Sequence, residues 1–181
     1  MTQPPHSAAA LLACLAIVAG IWDLRTRRIP NWLTLSGVIA GLAIHTFLFG
    51  LSGLWHSCSG MLLAFSVYLA LYLLRAMGAG DVKLMAAVGS LVGPANWFAI
   101  FLLSATVGGL AAFGLILRRK RVRKTFGNAA FIIGEMMRMR PAYLEREELD
   151  VNSSSAVTLP HGTVIAVACA LFLFWSSRGV F

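Results

Sequence analysis

The stretch RAMGAGDVKLMAAVGSLVGPANWFAIFLLSATVGGLAAFGLIL, residues 75–117, decides how this chain is read. Its opening, RAMGAGDVK, is too polar and glycine-rich for the centre of a membrane. The run that follows, LMAAVGSLVG, ends at Gly93 and is succeeded by Pro94 and a longer apolar run to Leu117. A single straight helix over 84–117 would be about 50 Å long, against a hydrocarbon core of about 30 Å. Gly93-Pro94 is a turn or kink signal. The pattern therefore predicts a short helix from Asp81 to Val92, buried inside a bundle with one end open to water. A full-length helix from Asn96 to Leu117 follows it.

Working outward, the same apolar texture covers most of the 181 residues. Hydrophobic residues make up 59% and charged residues 12% of the chain, and the mean hydropathy is +0.79. A soluble domain carries about a quarter charged residues. The apolar runs are continuous rather than alternating, which argues against an outer-membrane barrel. The expected fold class is all-α: one polytopic membrane domain over 1–181, with six transmembrane helices including the short inner one. The other four helices are expected at Ser7–Trp22, Asn31–Gly50, Trp55–Leu74 and from Pro160 to near Trp175. A cytoplasmic loop is expected at about 118–158, with an amphipathic interfacial segment at 126–144 and a polar linker at 145–155. No Lys or Arg precedes the first apolar run and three arginines follow it closely, so it reads as a retained helix rather than an export signal.

Charge supports that topology. With the N-terminus outside, 14 of the 15 Lys and Arg residues fall on the cytoplasmic side and only Arg178 falls outside. This follows the positive-inside rule. The net charge of +8 is thus accounted for by anionic lipid facing the loops, and no nucleic-acid motif accompanies it. Cys14, Cys58 and Cys169 lie in or beside different apolar runs without a CxxC pair. They read as small packing residues.

Of seven acidic residues, five lie in the long loop; the other two are Asp23 and Asp81. The topology places both at the cytoplasmic end of the bundle. Isolated acids at a membrane helix mark function by default. Two facing carboxylates can share one proton, so that one accepts a proton from water while the other polarises a carbonyl. Gly78 and Gly80 would give a substrate backbone or a partner helix close access to Asp81. Each residue also has a plainer reading. Asp81 can be a helix N-cap, and Asp23 a surface charge balanced by Arg25, Arg27 and Arg28. Lys83 can be a snorkelling lysine, and Ile29-Pro30-Asn31 a helix start. His45 and His56 belong to the outer side. His161 belongs to the aspartate side but, as one histidine, carries little weight. No cluster has metal-ligand spacing, and the chemistry needs no metal or other cofactor.

Two motifs carry a resemblance. DLRTRRIPN, residues 23–31, and GAGDVKLMAAVG, residues 78–89, resemble those of prepilin peptidases of the type IV leader peptidase family, membrane aspartic peptidases with a GxGD motif. A weaker similarity is LPHGTVIAVA, residues 159–168, where relatives often have tyrosine in place of His161. The resemblance implies that Asp23 and Asp81 are catalytic. It implies that Gly78, Gly80, Lys83, Ile29, Pro30 and Asn31 shape the site or contact substrate. It implies an endopeptidase of the bacterial inner membrane that removes a basic leader from prepilins or pseudopilins at the cytoplasmic face. Its partners would be those substrates, membrane lipid and the pilus or secretion assembly machinery. Larger relatives carry a CxxC-bearing zinc domain and N-methylate the new N-terminus. Their pattern is not found in these residues, so the short tight-adherence (Flp pilus) type without N-methyltransferase is expected. On physical grounds alone, a proton or cation transporter and a non-enzymatic assembly subunit remain alternatives.

Overall fold

A computed structural model describes residues 3–74, 77–118 and 160–179. The expected cytoplasmic loop, its interfacial segment and the polar linker fall almost entirely outside the described residues. Four helices form the described structure: α1 (His6–Thr26), α2 (Asn31–Leu73), α3 (Ala79–Arg118) and α4 (His161–Ser177).

The expectation of six separate transmembrane helices is corrected by this count. Among the described residues there are four helices, and three of them are long and apolar enough to cross a membrane. The reason lies in the two uncharged stretches read as turns. Neither the 51–54 link between the expected second and third helices nor 93–95 contains a charged residue, and helical geometry resumes after one residue in each. Gly50 (φ 63°, ψ −142°) interrupts α2 and Gly93 (φ 76°, ψ 175°) interrupts α3. Both backbone conformations need positive φ, which glycine adopts without steric cost.

The bend at Gly50 is sharp. The rings of His45 and His56, eleven positions apart, lie 5.6 Å from centroid to centroid. In a straight helix they would be about 16 Å apart along the axis. The bend at Gly93 lies against the same place, with the His56 ring next to Gly93. The nearby bond from Gln3 Nε2 to Ser176 O, 3.0 Å long, ties the chain's start to the end of α4. These groups define one end of the bundle.

The outer surface is apolar. Ile17, Leu24, Leu35, Phe47 and Leu51 are all more than half exposed, Phe47 almost wholly so. In water so large an apolar surface would be untenable; in lipid it is the solvent-matched face. Lipid also removes the hydrophobic drive for helices to associate, leaving packing and hydrogen bonds to do it. Small residues accordingly line the contact between α2 and α3, the most extensive in the fold. A Cβ on Gly60 would collide with the Gly89 carbonyl, and one on Gly41 would stand 2.7 Å from the Ser90 carbonyl carbon. Ser57 Oγ donates to Ser90 O at 2.6 Å across the same contact. The stretch from Leu84 to Gly93 is buried throughout, so the start of α3 is the centre of the bundle. Trp97 and Phe101 stack at 5.5 Å with Tyr68 edge-on to both.

Candidate active site

At the opposite end, the DLRTRRIPN segment makes a tight connection between α1 and α2. Asp23 lies in the last turn of α1. The helix ends at Arg27, which takes the left-handed conformation (φ 51°) and returns its N–H to Asp23 O. Thr26 Oγ1 secures the turn by donating to Trp22 O at 2.9 Å and Arg28 O at 3.1 Å. Pro30 then stands in extended conformation as the residue before α2, where its missing N–H costs nothing.

Asp23 is buried near the C-terminal end of its own helix, where the backbone dipole disfavours a negative charge. Its stabilisation comes from α4. Asp23 Oδ2 accepts the Thr163 backbone N–H at 3.0 Å and faces Thr163 Oγ1 at 3.5 Å. Pro160, the cap residue of α4, offers no side-chain bond to that helix. Asp23 therefore caps α4 from another helix, an anion at the positive end of a helix dipole. Gly162 makes this approach possible, because a Cβ there would stand 3.0 Å from Asp23 Cγ.

Asp81 is held by the start of its own helix. Gly78 N donates to Asp81 Oδ2 at 3.3 Å, and Asp81 N donates to Gly78 O at 3.1 Å. This is half a capping box, with glycine at the cap and the acid reaching back from the third helical position. Asp81 is thus not the N-cap residue of the plainer reading but the acid that reaches back to it, while Asp23 caps α4 from outside. Capping fixes where each carboxylate sits without consuming its chemistry.

The two motifs meet. Lys83 Nζ donates to Asn31 Oδ1 at 2.9 Å, and Gly80 faces the Ile29 side chain. Lys83 is exposed yet tied to a partner 52 positions away, which a snorkelling lysine need not be. A Cβ on Gly78 or Gly80 would make only ordinary contacts, 3.5 Å to Asp81 Oδ2 and 3.4 Å to Ile29 Cβ. Packing does not demand glycine at either position.

Asp23 and His161 both lie within electrostatic reach of Asp81. Four segments of chain thus converge: the end of α1, the 27–31 connection, the start of α3 and the start of α4. The sequence reading missed Gly162 and Thr163, and it gave His161 no role. Their signal was faint: a Pro-His-Gly-Thr run opening an apolar helix, with nothing to say which carboxylate it would meet. Among the described residues, no group of three His, Cys, Asp or Glu side chains is arranged to hold a metal ion.

The fold and the site define a polytopic helical membrane protein that brings two capped carboxylates to one end of its bundle. Residues 10–113 match the Type IV leader peptidase family, and the chain belongs to that family. It is 35% identical over 119 residues to a "Prepilin leader peptidase/N-methyltransferase" of Aeromonas hydrophila, covering 62% of this chain and 41% of that protein. The like-named protein of Aeromonas salmonicida is 35% identical over 123 residues, covering 62% of this chain and 40% of its own length. The chain thus spans about 40% of the length of these curated relatives. No solved structure matches it.

Proposed function

We propose that this protein is a membrane aspartic endopeptidase that cleaves the basic leader from prepilins or pseudopilins of the Flp type, with Asp23 and Asp81 as the catalytic pair. The observation that carries the reading is the convergence of the two aspartates from motifs 58 positions apart. Each is locked by a helix N-terminus, and the motifs are joined through Lys83 and Asn31. Family membership and the naming of the Aeromonas relatives support the substrate class. The active site lies at the cytoplasmic face of the bacterial inner membrane in this proposal, and the bias of Lys and Arg supports that orientation.

In this mechanism the two carboxylates share one proton once water and the scissile carbonyl lie between them. The ionised member takes a proton from a water as its oxygen attacks the scissile carbonyl carbon. The protonated member hydrogen-bonds the carbonyl oxygen and transfers its proton there, giving a tetrahedral gem-diol. Collapse breaks the C–N bond: the amine leaves with the proton of the acid formed in the first step, and the other, now ionised carboxylate takes a hydroxyl proton from the gem-diol, restoring the pair with one proton. No covalent acyl-enzyme arises. The substrate helix must unwind locally, because a helix hides its peptide bonds, and a glycine at the cut lets the strand pass over Gly78 and Gly80. The proposal concerns proteolysis alone.

The test is purified protein in detergent with a synthetic prepilin segment spanning leader and apolar helix. Mass spectrometry should find one cut at the leader boundary. An intact peptide under conditions where a known prepilin peptidase cuts it would refute the assignment.

A further inference from the structure

His161 opens α4 immediately before the two residues that receive Asp23. Gly162 gives Asp23 room, and Thr163 binds it. The imidazole is half-buried, but its Nε2 is fully shielded and has no hydrogen-bond partner among the described residues. A shielded polar atom left unpaired is destabilising, so this nitrogen stands ready for a partner that the described residues do not supply. It stands ready beside the reacting groups, since His161 lies within electrostatic reach of Asp81.

The site's own chemistry says what that partner is. The titratable groups that meet here are Asp23 on α1, Asp81 on α3 and His161 on α4. Lys83, the nearest cation on α3, is engaged by Asn31. Two carboxylates sharing one proton offer a single donor against several acceptor positions. A peptide entering with its scissile carbonyl toward them finds one hydrogen bond for an oxygen that becomes strongly negative in the transition state. Imidazole is the neighbouring group that adds a second. For Nε2 to meet an arriving strand the half-buried ring must turn about χ2, a broad torsion in histidine.

We propose that His161 is a further catalytic residue of this site, donating a hydrogen bond from Nε2–H to the oxygen of the scissile carbonyl. The proposal rests on the two-aspartate reading above. It places Nε2 beside the protonated carboxyl as a second, preorganised donor at the oxyanion position. No bond to His161 forms or breaks, and its proton is shared rather than transferred.

The experiment is steady-state cleavage of the synthetic prepilin segment by full-length protein in detergent, comparing wild type, His161→Leu and His161→Gln. Removing a donor of this type lowers kcat by about 100-fold, so His161→Leu should lose about that factor with KM within about threefold. His161→Gln, which keeps a side-chain N–H donor, should recover at least about tenfold of it. Wild-type kcat in His161→Leu overturns the proposal, as does a loss confined to KM or a Gln variant no better than Leu. If His161→Leu does not accumulate as folded protein, His161→Ala takes its place with the same criteria. Asp23→Asn and Asp81→Asn run alongside to separate the two claims. Full activity in either would end the two-aspartate reading and the role of His161 with it. Inactive Asp variants beside a fully active His161→Leu would end the His161 proposal alone.

Discussion

Replacing Gly162 by alanine adds one methyl group directly against the Asp23 carboxylate. The new Cβ would stand 3.0 Å from Asp23 Cγ and from Oδ2, and 3.1 Å from its Cβ. Comfortable carbon–carbon separation is about 3.5–4.0 Å, so the carboxylate must retreat by about 0.5–1 Å. Retreat carries Oδ2 away from Thr163 N, its 3.0 Å donor. A misplacement of about 1 Å at reacting groups costs about 100-fold in rate, which puts the expected fall in kcat at about 10- to 100-fold. Global stability should fall by about 2.5 kcal/mol at most. Alanine gains about 0.5–1 kcal/mol over glycine in a helix, and local overpacking costs about 1–3 kcal/mol. The assay is prepilin-segment cleavage with a melting curve on the same preparation. Gly109→Ala is the control, because nothing lies within 4 Å of a Cβ there; it should leave kcat unchanged. A Gly162→Ala enzyme within twofold of wild-type kcat would refute the reasoning, since Asp23 could then move without consequence.

Other consequences are readily measured. Gly60→Ala pushes a methyl into the Gly89 carbonyl across the α2–α3 contact and should cost about 2 kcal/mol, or about 5 °C in melting temperature. Gly93→Ala combines positive φ with a clash against the His56 ring; a loss of at least about 1–2 kcal/mol is expected, and an unchanged melting temperature would contradict the bend. Lys83→Met removes an exposed hydrogen bond to Asn31 and should cost less than about 1 kcal/mol of stability. Its cleavage rate should nevertheless drop several-fold, because the bond sets the two motifs against each other; an unchanged rate would make the link ornamental.

The apolar runs and their glycine-proline interruption made the membrane fold legible, and two isolated acids marked the site. Helix number was not legible in the same way. A turn in water is announced by polar residues, whereas in lipid a bend needs only one glycine free to take positive φ. Gly93, followed by proline, and Gly50, at the expected end of an apolar run, mark where the backbone bends, but nothing in them says that helical geometry resumes directly after each bend. Asp23 and Asp81 could be paired from the charge pattern, and Ile29, Asn31, Gly80 and Lys83 from the resemblance. That Lys83 bonds Asn31 is a distance fact between residues 52 apart. The contribution of α4 was the least visible. Its partner Asp23 is 140 positions away from Thr163, and a backbone N–H donor leaves no trace in side-chain identity. Gly162, small where Asp23 must fit, and the Thr163 hydroxyl, 3.5 Å from Asp23 Oδ2, are its side-chain traces.

Both aspartates take part in helix caps, so truncating either one would confuse stability with chemistry. Asparagine keeps the accepting oxygen at each cap and removes the ionisable proton, leaving Asp23→Asn able to hold Thr163 N and Asp81→Asn able to hold Gly78 N. The most direct measurement is therefore leader removal from a co-expressed prepilin by these two variants, each checked for wild-type abundance and melting temperature. Both should be folded, and both should leave the prepilin uncut. Cleavage at a wild-type rate by either folded variant would contradict the account.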